Sequence, residues 1–145
     1  MTKMPTRRQV LALSALLAPT LTGPAWAQDD KACALVFVHG KWGNTQYVGF
    51  FTRRLEPYCK VRVPEAPWSL RRGYDAPYSR ALDDMAAEVK ALRDQGYRRV
   101  LVGGHSFGAN AAMAYMARVG DADGVVAVAP GHAPAAMYAR GIGKD

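Results

Sequence analysis

Four short apolar runs recur along the chain, separated by segments of a different period. "ALVFVHG" (34–40) is apolar without alternation and ends in glycine, which predicts a strand buried on both faces. "TQYVGFFTRRLEPY" (45–58) places Tyr47, Phe50, Phe51 and Leu55 at helical spacing, with Pro57 marking the end. "KVRVPE" (60–65) predicts a second strand, stopped by Pro64. "APWSLRRGYDAPYS" (66–79) is rich in breakers and has no period, so it reads as a surface loop. "SRALDDMAAEVKALRDQG" (79–96) is the strongest helix signal, with Leu82, Met85, Ala86, Val89 and Leu92 on one face. Ser79 is the expected cap, Asp83 and Asp84 the acids near the positive end, and Gly96 the terminator. "RRVLVGG" (98–104) predicts a third strand, "GANAAMAYMARVG" (108–120) a helix and "GVVAVAP" (124–130) a fourth strand; "GHAPAAMYARGIGKD" (131–145) begins a further helix.

Strand and helix alternate, and the strands are apolar on both faces. That pattern predicts an α/β fold whose parallel sheet is covered by helices on both faces. The 145 residues suffice for one domain, with no internal repeat.

The N-terminus has a different character. Lys3, Arg7 and Arg8 precede the apolar run "VLALSALLA" (10–18), and "AWA" (25–27) offers a small-residue cleavage site. Together they predict an export signal peptide over residues 1–27, leaving a domain over 28–145. "TRRQVL" (6–11) matches a twin-arginine signal. An uncleaved anchor is the alternative, but the run falls short of the roughly 18 apolar residues that a span needs. A periplasmic or secreted protein without a stable membrane span is therefore expected.

The formal charge is +7, and three of the positive charges lie in residues 1–27 with no negative ones. The remaining 118 residues carry about +4, too little to argue for nucleic acid. Arg53-Arg54, Arg71-Arg72 and Arg98-Arg99 are scattered and read as a solvated face. Cys33 and Cys59 each precede a predicted strand. If those strands are parallel neighbours, their starts lie within disulfide range, and export allows the bridge to persist. Two buried free thiols are the alternative. His39, His105 and His132 are far apart and no C-x-x-C occurs, so neither a metal site nor a cofactor is expected.

The chemistry concentrates at "GGHSFGAN" (103–110). "GHSFG" fits G-x-S-x-G and sits between a predicted strand and a predicted helix, as a nucleophile elbow requires. A serine hydroxyl needs a base to become an effective nucleophile, and it must project from a sharp turn to reach base and substrate. Gly104 and Gly108 keep such a turn free of side chains. The bland reading is a tight turn whose serine merely caps the helix. "HGKWG" (39–43) closes the first strand, at the carboxyl end where parallel sheets gather ligands.

With these two motifs the sequence resembles the α/β-hydrolase superfamily over roughly residues 34–130. "HG" is similar to that family's oxyanion loop and "GGHSFGANAA" to its nucleophile strand, elbow and helix. The resemblance implies Ser106 as catalytic nucleophile. It implies backbone N–H groups of Phe107 and of Lys41, or of Trp42, as oxyanion donors, with His39 and His105 supporting loop and elbow. It implies strand order 2-1-3-4, which sets Cys33 and Cys59 on adjacent strands and favours their disulfide.

The partners of Ser106 are missing from the pattern. Such a hydrolase places its acid and then its histidine after the serine in the chain. Only Asp121, Asp123 and Asp145 follow among the acids, and only His132 among the histidines. Asp121 and Asp123 precede the fourth strand, at the wrong end of the sheet. His132 reads better as a loop residue than as the base, and a Ser-Lys arrangement with Lys41 is a remoter option. The expectation is a truncated α/β-hydrolase fold whose triad acid and histidine lie beyond residue 145. "VVAVA" (125–129) then becomes an exposed apolar edge, a route to self-association through 124–129.

Two functions follow from this pattern. One is an exported serine hydrolase acting on a small-molecule ester or similar acyl substrate through an acyl-serine intermediate, incomplete in this chain. The other is a non-catalytic α/β module that binds a partner through its sheet edge. Trp42, Trp68 and Tyr74 are aromatic residues for an acyl site, although packing is their commoner use.

Overall fold

The computed structural model describes residues 30–131. The predicted signal peptide, His132 and Asp145 lie outside the described residues. The elements run β1 (Cys33–Val38), α1 (Gly49–Leu55), β2 (Lys60–Arg62), α2 (Tyr78–Asp94), β3 (Arg99–His105), α3 (Phe107–Arg118) and β4 (Val125–Val128). All strand pairs are parallel, in the order β2-β1-β3-β4. Fold class and strand order are those expected.

Alternation along β1 explains the layers. Ala34, Val36 and Val38 point into one core with Leu82, Met85, Val89 and Leu92 of α2 and Ala111, Ala112 and Tyr115 of α3. Leu35 and Phe37 point into the other, with Val48, and with Phe51 and Leu55 of α1 packed against it. A strand covered on both faces must be apolar at every position, so β1 reads as a continuous run.

The order reverses between β1 and β3. The chain leaves β1 toward one edge through α1 and leaves β3 toward the other through α3. The turns after these two neighbouring strands thus face each other at the carboxyl edge of the sheet, where α/β proteins form their ligand crevice.

Several local expectations change. Helix α1 starts at Gly49, and Val48 is buried while Tyr47 and Phe50 stand 71% and 61% exposed. Helical spacing holds there, but the apolar stripe is broader than the face that finds a partner. Strand β2 stops at Arg62, short of Pro64. Helix α2 starts at Tyr78 behind Pro77, so Ser79 falls inside the first turn and caps nothing. That first turn holds no acid; Asp84 instead pairs with Arg80 at 2.8 Å and Arg72 at 3.3 Å. Gly96 closes α2 as expected, at φ 88°. Among the described residues no helix is long and apolar enough to cross a membrane.

Cys33 and Cys59 form a disulfide with Cα atoms 4.6 Å apart. Ala34 pairs with Lys60, so the two cysteines stand one step earlier on each strand. The bridge reinforces a strand pair only three residues long. Closing a loop of 26 residues removes unfolded-state entropy worth about 3 to 4 kcal/mol in the chain-entropy model. The Cys33→Ser/Cys59→Ser double variant is expected to lose about 2 to 4 kcal/mol of stability in urea denaturation without reductant. Excess dithiothreitol should bring the unchanged protein to the same midpoint.

Candidate active site

Ser106 stands between β3 and α3 with φ 54° and ψ −116°. The positive φ with that ψ lies outside the small left-handed basin, a conformation costing about 1 to 3 kcal/mol for a residue with a side chain. The surroundings hold it there. Its N–H donates to the Val128 carbonyl at 3.0 Å, and its carbonyl accepts from the N–H groups of Ala109 and Asn110 at 3.0 and 3.2 Å. A serine acting only as a helix cap would bond the first turn through its hydroxyl, and Ser106 makes no such side-chain bond.

Two glycines make the turn possible. A Cβ on Gly104 would lie 2.3 Å from the Gly108 carbonyl carbon, and one on Gly108 would lie 2.1 Å from the Val38 carbonyl oxygen. Both obstacles are backbone and cannot swing aside. The first turn of α3 therefore lies directly on the end of β1.

That contact delivers the 39–43 loop to the serine. A Cβ on Gly40 would stand 3.2 Å from the Ser106 Cβ. The loop is braced from several sides. His39 is fully buried; its Nδ1–H donates to the Gly40 carbonyl at 2.9 Å, and its Nε2 accepts the Ala66 N–H at 3.2 Å. The His39 carbonyl accepts the Trp68 indole N–H at 3.0 Å. The Trp42 N–H donates to the Trp68 carbonyl at 2.9 Å, and the Leu70 N–H to the Gly43 carbonyl at 3.1 Å. Trp42 is thereby committed. The Lys41 N–H meets no acceptor among the described residues. The Phe107 N–H, at the first helical position of α3, has no intrahelical acceptor either.

The remaining sequence candidates separate clearly. His39, with both ring nitrogens used by backbone groups, supports the loop. His105 stacks on Phe51, ring centroids 5.2 Å apart, and its Nδ1 is buried without a partner. The Tyr115 hydroxyl donates to the Asp121 carboxylate; burial first, and that carboxylate second, push the phenol above its ordinary range. Asp123 accepts the Val100 N–H at 2.6 Å and pairs with Arg93 at 2.8 Å. Asp123 thus binds the amino end of β3 and Asp121 the last turn of α3, and both precede β4, away from the serine. The Lys41 ammonium lies 5.9 and 5.4 Å from the Trp42 and Tyr74 ring centroids. Trp68, 1% exposed, is a packing residue rather than an acyl-site wall, while Trp42 is 48% exposed. Among the described residues no cluster of His, Cys, Asp or Glu is arranged to hold a metal ion.

Two participants carry no motif. A Cβ on Gly131 would lie 3.4 Å from the Ser106 hydroxyl oxygen, so the segment after β4 reaches the serine. The Asn110 side-chain amide bonds the Gly131 carbonyl and secures that approach. No local sequence signal marks a contact between residues 21 positions apart.

Gly108→Ala is expected to cost roughly 3 kcal/mol or more, since the overlap is with the Val38 and His39 backbone, which cannot swing aside. Gly124→Ala, whose nearest obstacle is the flexible Leu101 side chain at 3.3 Å, should stay within about 1 kcal/mol. Urea denaturation of both variants checks the contrast.

No curated protein and no solved structure matches the chain. The family model of the alpha/beta hydrolase family matches residues 35–143. The match takes in both the turn after β1 and the serine elbow whose close approach shapes this site, and the chain belongs to the alpha/beta hydrolase family.

Proposed function

We propose that the chain carries the nucleophilic half of an exported serine hydrolase, with Ser106 as catalytic nucleophile on an ester or similar acyl substrate. The observation that carries this reading is the backbone of Ser106. A strained elbow is maintained at the carboxyl edge of the sheet, beside a loop with an unspent N–H, where a turn serving the fold alone gains nothing from strain.

In this reading the Ser106 oxygen attacks the acyl carbon and forms a new C–O bond while a base accepts the hydroxyl proton. The carbonyl electron pair moves onto oxygen, and the N–H groups of Phe107 and Lys41 receive that charge, an effect of about 3 to 4 kcal/mol per donor. Collapse breaks the bond to the alcohol, which leaves with the proton from the base. Water then repeats the sequence on acyl-Ser106. The base is a histidine oriented by a carboxylate, supplied from outside the described residues. His39 and His105 are engaged in the loop and against Phe51, and Asp121 and Asp123 lie at the opposite end of the sheet. A periplasmic or secreted location belongs to the same proposal and is supported by the disulfide.

A second reading, a non-catalytic module that pairs through β4, is favoured by the contrast between the sheet's two edges. Exposed Lys60 and Arg62 guard β2, whereas β4 is "VVAV" with Val125 43% exposed. A fluorophosphonate separates the two. Slow labelling of the purified chain at Ser106 by excess reagent, weak because base and acid are not among the described residues, located by peptide mass spectrometry and abolished in Ser106→Ala, is the expected outcome. A folded, unlabelled chain that sediments as a dimer would establish the second reading instead.

A further inference from the structure

We infer that Trp68 is the positioning residue of the oxyanion site, an inference that rests on the reading of Ser106, Lys41 and Phe107 given above. Trp68 comes from the loop between β2 and α2, contributes no group to the reaction and is almost wholly buried. It nevertheless meets both donor-bearing segments.

On one side it grips the 39–43 loop at two points. Its indole N–H donates to the His39 carbonyl at 3.0 Å, and its own carbonyl accepts the Trp42 N–H at 2.9 Å. The two peptides flanking Gly40 and Lys41 are thereby tied to one residue. The Gly43 N–H closes the turn on the Gly40 carbonyl at 3.0 Å. The Lys41 N–H, between the tethers, has no acceptor among the described residues. A free loop would turn such a group toward a neighbouring carbonyl, because an unmet donor is costly. The tethers hold the peptides on either side of it in place.

On the other side the indole ring meets the Phe107 ring edge-on, centroids 4.8 Å apart. Phe107 is the first residue of α3 and bears the second N–H. Trp68 is itself held firmly. Tyr78 stacks on it at 5.6 Å. Arg72, four residues on, pins the loop to the Glu65 carbonyl at 2.8 Å and to both Asp75 oxygens at 2.9 and 3.0 Å. One side chain thus sets the distance between two donors that lie far apart in the chain. Oxyanion stabilisation depends on donors fixed before charge develops.

Two replacements test the tether. Trp68→Phe keeps a ring against Phe107 and removes the N–H. Replacement of Trp68 by benzothienylalanine keeps the full indole shape and removes only that donor, so folding is preserved. Val89→Ala, in the same core on α2, serves as the stability control. The readouts on the full chain are the rate of Ser106 modification by excess fluorophosphonate and the amide signals of Lys41 and Phe107 in nitrogen-15 spectra. Both Trp68 replacements are expected to slow modification about tenfold or more and to shift or broaden the Lys41 amide. Val89→Ala should stay within about twofold of the unchanged protein. Modification at the unchanged rate in the benzothienyl protein would overturn the inference, as would equal slowing in Val89→Ala. If the unchanged protein is not labelled, the reading of Ser106 fails. The Lys41 amide then decides on Trp68 alone: an unmoved signal in the benzothienyl protein overturns the tether, and a displaced one supports it.

Discussion

Everything at the carboxyl edge of this sheet depends on the contact between the first turn of α3 and the last residues of β1. Gly108 lies against the Val38 and His39 carbonyls, in space where a Cβ would overlap them, and Gly104 is equally close to the Gly108 backbone. Without that approach α3 would ride a side chain's width higher. Ser106 would relax from its positive φ, and the 39–43 loop would no longer stand beside it. Packing of Ala109, Ala111, Ala112 and Tyr115, all fully buried, supplies the favourable energy that offsets a strained turn.

The second constraint is polar. The 39–43 loop is irregular backbone next to the core, where unmet N–H and C=O groups are expensive. The His39 and Gly43 carbonyls and the Trp42 N–H are met by Trp68 and Leu70 of the next loop, and the His39 ring meets the Ala66 N–H. His39 is part of that exchange: a buried imidazole with one ring nitrogen on the Gly40 carbonyl and the other on the Ala66 N–H stiffens the backbone of both loops. Electrostatics and packing meet in the following segment, where Arg72 joins Glu65, Asp75 and Asp84 and keeps Trp68 seated under the site.

Cover over the sheet is uneven. Two long helices bury one face, and the seven-residue α1 covers the other. The edges differ too. Strand β2 is short, charged and secured by a disulfide; β4 is apolar and uncharged. Stability is accordingly concentrated in β1, β3 and the α2–α3 layer, which are the elements that seat the serine.

Sequence by itself determined the elements, their order and the two glycine-framed motifs. Those features are local: an apolar run, a helical period and a G-x-S-x-G turn are each carried by neighbouring residues. Sequence order also put Asp121 and Asp123 at the amino end of the sheet. Tertiary structure decided which signals were satisfied. Ser79 yields to Pro77 because the helix begins two residues earlier than a Ser79 cap would set it, and Tyr47 and Phe50 remain exposed because α1 has too little sheet beneath it. The spending of the Trp42 N–H on Trp68, the reach of Gly131 to the serine and the embrace of both loops by one indole depend on residues brought together from distant positions. Hydrogen bonds and close contacts of that kind have no period and no spacing, so only the folded chain reveals them.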